Sequence, residues 1–593
     1  MNNLVKFIPS FDKWKELKGI DKMIYELQWK FSFLREFELK LYFGSVIILL
    51  FLSLVLVVIR RKRMVVSVIF LIIMWTVFIG LVLKSDVIGF KNSFGIILPF
   101  ILWLILWFVA MFLKKTNTVV TPTTKIDRVD TNKYRNPFSI EFQMIVSDVT
   151  IGWTYLILSN PFRNIFISGG AGSGKSRSFI EPIIKQTTLK NYSVLLYDYE
   201  SPILTQILNN YLTIQEKELY YINFENIELS NRVNPVSPKI LPNISYARES
   251  ATTIINNLMP DTIKKDDYWG SSAIALLQGI IWYLRNNHPN KCTLPHAISM
   301  VLYMDTEHMI KTISKDIEVQ DIVASIRSSI ERKADNQVAG VVGTLQNAIA
   351  TLSTPAIYWV LSGDEFTLDL NNPNNPKSLA IGNTPQVAKT YAPVISLIMS
   401  TALKLMNQQD RHQSICVIDE GSTVYIPNLN TITATARKNK LATVFCTQDL
   451  SQMKEKYGEE QMQSILSNLG THFYGRTTNP KTAKQYSDTF GKFDKTYTTQ
   501  TQGEASSSSG SSSSLSVSQS IQQREWVQPQ EFLNMKPGKF VGFSVESSYR
   551  QFKAIFIEEE VNSLKLSIKN RVSEAEMKIN YRTIKEDIEI ILG

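Results

Sequence analysis

Cysteine is nearly missing: the 593-residue chain has three, Cys292, Cys416 and Cys446, with only five histidines. None of them has disulfide-framework or zinc-ligand spacing, which excludes a disulfide scaffold and a Cys/His zinc centre and fits a reducing compartment. A strongly basic body is missing as well. The formal net charge is +10, but residues 1–115 hold 16 Lys and Arg against 7 Asp and Glu, so residues 116–593 are close to neutral. Any nucleic-acid contact must therefore come from local patches rather than from the whole body. No cleavable signal peptide fits, because the first apolar run begins only after forty mixed residues. With 44 % hydrophobic and 20 % charged residues, collagen-like and wholly disordered classes are also out, and the length suits about four structural units.

What is present is concentrated. Residues 41–59, 64–83 and 94–113 are runs of 19, 20 and 20 residues without a charge, each long enough to cross a bilayer as a helix. Arg60, Arg61, Lys62 and Arg63 join the first two, and the third leaves through Lys114 and Lys115. Positive-inside logic places both basic sites, and the large C-terminal body, in the cytoplasm of a multi-pass membrane protein. The eight Lys and Arg of residues 1–40 oppose the outside position this gives the N-terminus. Phe11, Trp14, Leu17, Ile24, Leu27, Phe31 and Leu34 recur at helical spacing, as in an amphipathic helix that either lies on a bilayer or packs on a partner protein.

The string "NIFISGGAGSGKSRSFIEPIIKQ" passes from a short apolar run through a glycine-rich turn into an amphipathic helix. Gly169, Gly174, Lys175 and Ser176 match G-x-x-x-x-G-K-[ST], with Gly170, Ala171, Gly172 and Ser173 between them. Such a loop wraps phosphates in backbone N–H groups. Lys175 would reach the β and γ oxygens of ATP, and the Ser176 hydroxyl would bind Mg²⁺. "SICVIDEGS" supplies the partner motif, a buried strand ending in Asp419 and Glu420. Asp419 would hold Mg²⁺ through water, and Glu420 would polarise the attacking water. Gln448, at the tip of "LATVFCTQ", either senses the γ-phosphate or caps the strand end. Cys416 and Cys446 lie inside these strands as packing residues.

Lys175 and Asp419 are 244 residues apart, far more than a minimal P-loop core needs, so something is inserted. Residues 245–361 read as helices, while "SVLLYDY", "ELYYINF", "KSLAIGN", "SICVIDE", "ATVFCTQ" and "THFYGR" read as strands of a mostly parallel sheet. The expected fold is α/β: a RecA-like P-loop ATPase domain with an all-α insert and an N-terminal α-helical transmembrane region. An ABC transporter is disfavoured, since "LSGDE" at Leu361 stands too early for a signature motif.

The segments "NPFRNIFISGGAGSGKS", "NRVNPVS", "DDYWGSSAIALLQ", "VIDEGSTVYIPNLNTITATARKNKLATVFCTQDLSQM" and "GRTTNPKTAKQYSDTFGK" resemble, in order, those of the type IV coupling proteins of conjugation and type IV secretion. Within that family the likeness is to the proteins of Bacteroidetes-type conjugative elements, over roughly residues 155–560. The resemblance implies an ATPase using ATP and Mg²⁺, a homo-hexameric ring and a central channel for single-stranded DNA delivered with its relaxase. Its other partners would be type IV secretion channel proteins and the membrane. It also aligns Arg437 with a basic position facing a neighbouring subunit, as a trans arginine finger or a solvated helix-end charge. Two departures stand out. Asp198, Tyr199 and Glu200 replace the family's Asp-Pro-Lys-Gly-Glu run, and three spans replace the usual two.

The expected partition is an amphipathic segment at 1–40, a membrane region at 41–115, nucleotide-binding portions at 116–244 and 371–557, an insert at 245–370 and a charged helical tail at 558–593. The serine-rich residues 505–520 are expected to form a flexible loop, and the tail either binds substrate or frays. Two alternatives to a DNA-transferring coupling protein remain: a secretion-assembly or export ATPase for protein substrates, and an ATP-ordered docking scaffold.

Overall fold

Seven short apolar segments of four to seven residues each set the architecture. They are β3 (Ile165–Ser168), β4 (Ser193–Asp198), β5 (Leu219–Ile222), β6 (Ser378–Gly382), β7 (Ser414–Ile418), β8 (Leu441–Thr447) and β9 (Thr471–Tyr474). In the computed structural model, which describes residues 130–146, 153–264, 268–507 and 510–592, they form the parallel run β9-β3-β8-β7-β4-β6-β5. Nearly every residue in them is buried, as expected when helices cover both faces of a parallel sheet. Side chains alternate between two cores. Ile167, Leu196, Val417 and Cys446 point to one, with Phe179 and Ile183 of the helical segment after the glycine loop. Phe166, Tyr197, Ile418 and Phe445 point to the other, with the helices between β5 and β6.

Four antiparallel strands extend the sheet to eleven: β1 (Ile140–Val146), β2 (Thr154–Leu158), β12 (Lys539–Ser544) and β13 (Gln551–Phe556), in the order β2-β1-β13-β12-β9. Phe142 on β1 and Phe540 and Phe556 on β12 and β13 surround Phe179 with ring centroids 4.7–5.2 Å away, which fixes the helical segment leaving the glycine loop.

Between β5 and β6 the regular elements are helical, from Ile244–Leu258 through Tyr268–Asn287, Leu294–Tyr303 and Asp335–Ile349 to Pro355–Leu361. The C-terminal segment returns to them. The helix Glu574–Leu592 buries Ile584, Ile588 and Ile591 beside Leu294–Tyr303 and Pro355–Leu361, and Asp587 takes an ion pair from Lys291 at 2.8 Å and forms a hydrogen bond with His296 at 3.3 Å. The helix is docked rather than frayed, and residues 558–573 preceding it are not helical.

The serine-rich segment differs from expectation. Residues 505–507 and 510–520 fall within β10 (Lys492–Ser507) and β11 (Gly510–Glu525), which pair antiparallel along their whole length. Serine offers little side chain to bury, but the backbone of each strand satisfies the other, which composition alone does not reveal. The amphipathic segment and the three expected spans lie outside the described residues. Among the described residues no helix is long and apolar enough to cross a membrane.

One buried histidine sets an acid limit. His472 on β9 bonds the Tyr474 hydroxyl at 2.8 Å and the Leu469 carbonyl at 2.6 Å, and burial pushes its pKa down to about 4. Above the ordinary histidine pKa of 6.5 both folded and unfolded forms are neutral, so this stability is complete. As pH falls from there towards 4, only the unfolded chain takes up the proton. Stability should drop by about 1.4 kcal/mol per pH unit from this group. Urea midpoints between pH 7 and 4.5 would show the slope, and His472→Gln should flatten it.

Candidate nucleotide-binding site

Parallel strands present their carboxyl ends on one edge of the sheet, and here that edge carries the expected residues. β8 lies between β3 and β7, with Ser168 level with Thr447 and Ile418 level with Phe445. The residues that follow these strands therefore meet: Gly169 donates its N–H to the Thr447 carbonyl at 3.2 Å, and Gly421 to the Cys446 carbonyl at 2.8 Å. The Gln448 N–H donates to Glu420 Oε1 at 3.1 Å, and the Ser422 hydroxyl to the same oxygen at 2.7 Å. The 244-residue gap in sequence closes in space to two strands with only β8 between them.

The loop itself is built for glycine. Gly174 has φ +95°, and a Cβ there would come within 2.9 Å of the Gly538 nitrogen, whose N–H is bonded to the Ser173 carbonyl. Gly170 donates to the Arg476 carbonyl at 2.6 Å, while the Arg476 guanidinium donates to the Ala171 carbonyl at 3.3 Å. The Lys175 ammonium folds back on the Gly169 carbonyl. The Ser173 and Ser178 hydroxyls are buried without partners. Ser176 begins the helical turn that leads into Glu181–Leu189.

The charges interact. Burial pushes the Asp419 pKa up to about 7, assisted by the neighbouring Asp198 and Glu420 carboxylates and opposed by Lys175. Burial raises Glu420 too, again opposed by Lys175. Asp198 is pushed up to about 6, chiefly by burial. Lys175 and the Asp419–Glu420 pair thus share one electrostatic site. Among the described residues no group of three acidic, histidine or cysteine side chains forms a ready-made metal cage. Mg²⁺ is usually held by one or two carboxylates together with substrate phosphates. The donor set of loop N–H groups, a lysine, a serine hydroxyl and a buried carboxylate fits a magnesium-nucleotide.

Not every expected residue joins them. Arg437 lies in the turn Ala436–Asn439 before β8, at the amino end of the strands, half-exposed and 3.6 Å from Glu546. It is not assembled with the loop of its own chain. Sequence reading missed Arg476 and Asp198 as neighbours of the site. The first follows a strand with no acidic signal, and the second registers only as a departure from a family motif. All three cysteines are buried and free, and burial raises the thiol pKa of each.

Fold and site together define an α/β protein of the P-loop type. Sequence comparison then places it: the family model described as type IV secretory system conjugative DNA transfer matches residues 110–575, and the chain belongs to that family. Among solved structures it is similar to the unbound bacterial conjugative coupling protein TrwBdeltaN70, at 13 % identity and TM-score 0.53, covering 73 % of this chain and 92 % of that one. It is also similar to the plasmid coupling protein TrwB in complex with the GTP analogue GDPNP, at 13 % identity and TM-score 0.54, covering 68 % and 88 %. The same protein with ADP and Mg²⁺ gives 14 % identity and TM-score 0.51, covering 68 % and 87 %. These likenesses show the fold. No curated protein sequence matches the chain.

Proposed function

We propose that this protein is a membrane-anchored coupling ATPase, which recruits relaxase-bound single-stranded DNA and moves it towards a type IV secretion channel. The observation that carries the reading is the meeting, at one sheet edge, of the Gly169–Ser176 loop, Asp419, Glu420 and Gln448, in a member of the conjugative DNA transfer family. The family's solved relatives with a nucleotide analogue and with ADP and Mg²⁺ support ATP and Mg²⁺ as its ligands. The three apolar runs would anchor the chain in the inner membrane, and a homo-hexamer would place the DNA channel at its centre.

In this reading the loop N–H groups and Lys175 would hold the β and γ phosphates, and Ser176 and Asp419 would hold Mg²⁺. The cation supplies neutralisation of phosphate charge when bound. Glu420, fixed by the Gln448 N–H and the Ser422 hydroxyl, accepts a proton from water aligned on the γ-phosphate. Gln448 orients that water. Arg437, turned away from its own loop, would serve the site of a neighbouring subunit.

The full chain in detergent should hydrolyse ATP only with Mg²⁺, and single-stranded oligonucleotide should raise the rate, less so as salt increases. A rate raised by a secreted protein substrate and indifferent to single-stranded DNA would replace DNA transfer with protein export.

A further inference from the structure

We infer that Asp198 is a second carboxylate of the divalent-cation site, accepting a hydrogen bond from cation-bound water beside Asp419. The inference deepens the proposed function and rests on its placement of Mg²⁺.

The placement follows from strand register. β4 and β7 are parallel neighbours with Tyr197 level with Ile418, so the next rung sets Asp198 beside Asp419. The Asp419 N–H confirms the rung by donating to the Tyr197 carbonyl at 3.2 Å. Alternation fixes the face. Val194 and Leu196 of β4 and Ile415 and Val417 of β7 point into the core shared with Phe179 and Ile183, which follow the glycine loop. Asp198 and Asp419 continue that series two residues further on, so both carboxylates leave the sheet on the side from which Lys175 approaches.

The state of the Asp198 carboxylate is the second observation. It is 1 % exposed. Its Oδ2 atom accepts from the Thr205 N–H at 2.8 Å and the Thr205 hydroxyl at 2.7 Å, while Oδ1 is buried with no partner. A buried carboxylate oxygen left unpaired is costly, and such groups generally have an unfilled task. Thr205 holds one oxygen, and the Leu204 N–H also acts on the carboxylate. Register sets this carboxylate next to Asp419, on which the Asp198 and Lys175 charges both act. Mg²⁺ keeps much of its water shell, and a carboxylate accepting from that shell is the ordinary outer contact of such a site.

Asp198→Asn keeps an acceptor for Thr205 but removes the charge. Binding of a fluorescent ATP analogue to the full chain in detergent, with Mg²⁺ and then in EDTA, separates the roles. Affinity in Mg²⁺ should fall by about 10- to 100-fold. In EDTA it should stay equal or tighten, because a negative charge near the phosphates is gone. Asp198→Ser, which keeps a short acceptor for the Thr205 amide, should show the same selective loss if the Asn variant melts early. Thr205→Val, which removes one hydrogen bond but not the carboxylate, should keep the wild-type gain from Mg²⁺. A wild-type gain from Mg²⁺ in Asp198→Asn, or an equal loss in Mg²⁺ and EDTA, would overturn the inference. Wild-type protein that binds no analogue under either condition would instead overturn the nucleotide site itself.

Discussion

Glu420→Gln should bind ATP as tightly as the wild type yet hydrolyse it about 10²- to 10⁴-fold more slowly, the range a positioned general base contributes. The amide keeps the shape of the carboxylate and can still accept the Gln448 N–H and the Ser422 hydroxyl bonds. Only the capacity to take a proton is lost. Transfer of DNA by a donor carrying this variant should fall to background. If transfer proceeds normally while hydrolysis is lost, nucleotide only orders a scaffold and the motor reading fails. The two readouts, single-turnover hydrolysis and mobilisation frequency, are independent enough to separate these cases.

Removing Lys175 should also be damaging, for a reason the charges make explicit. In Lys175→Ala the phosphates lose their cation, and Asp419 loses the positive charge that opposes its acidic neighbours Asp198, Glu420 and Glu200. Its pKa should therefore rise from about 7, which makes the carboxyl a poorer cation ligand at neutral pH. Turnover should drop by about 10²- to 10³-fold, and added Mg²⁺ should rescue little of it. Retention of wild-type hydrolysis in this variant would remove the loop from the active site altogether.

Much of the site was legible because its chemistry depends on backbone and short spacing. A loop that must turn at φ +95° needs Gly174, and a buried strand that must end in charge shows Asp419 and Glu420 at once. The seven parallel strands were legible for a similar reason: a strand covered on both faces is a short, uninterrupted apolar run. β1 and β2 were not, because an edge sheet with one wet face alternates, and Glu141, Gln143 and Tyr155 dilute the signal. Asp198 was hidden by its context, since nothing in a single chain says that the strand ending there will lie next to the one ending in Asp419. The β10 and β11 ribbon was hidden by composition. Its pairing rests on backbone groups that every residue carries, so serine content reads as slack where the chain in fact pairs.

The docked helix at Glu574–Leu592 imposes an order of events on biosynthesis. Lys291 and Asp587 are 296 positions apart, so the helical region emerges from the ribosome long before the segment that covers it. Until Ile584, Ile588 and Ile591 arrive, the nascent chain carries a greasy groove that chaperones can hold. A premature stop near position 570 would leave that groove open on a molecule whose phosphate loop and acidic strand are already complete, which makes quality control, rather than lost catalysis, the first fate of such a truncation.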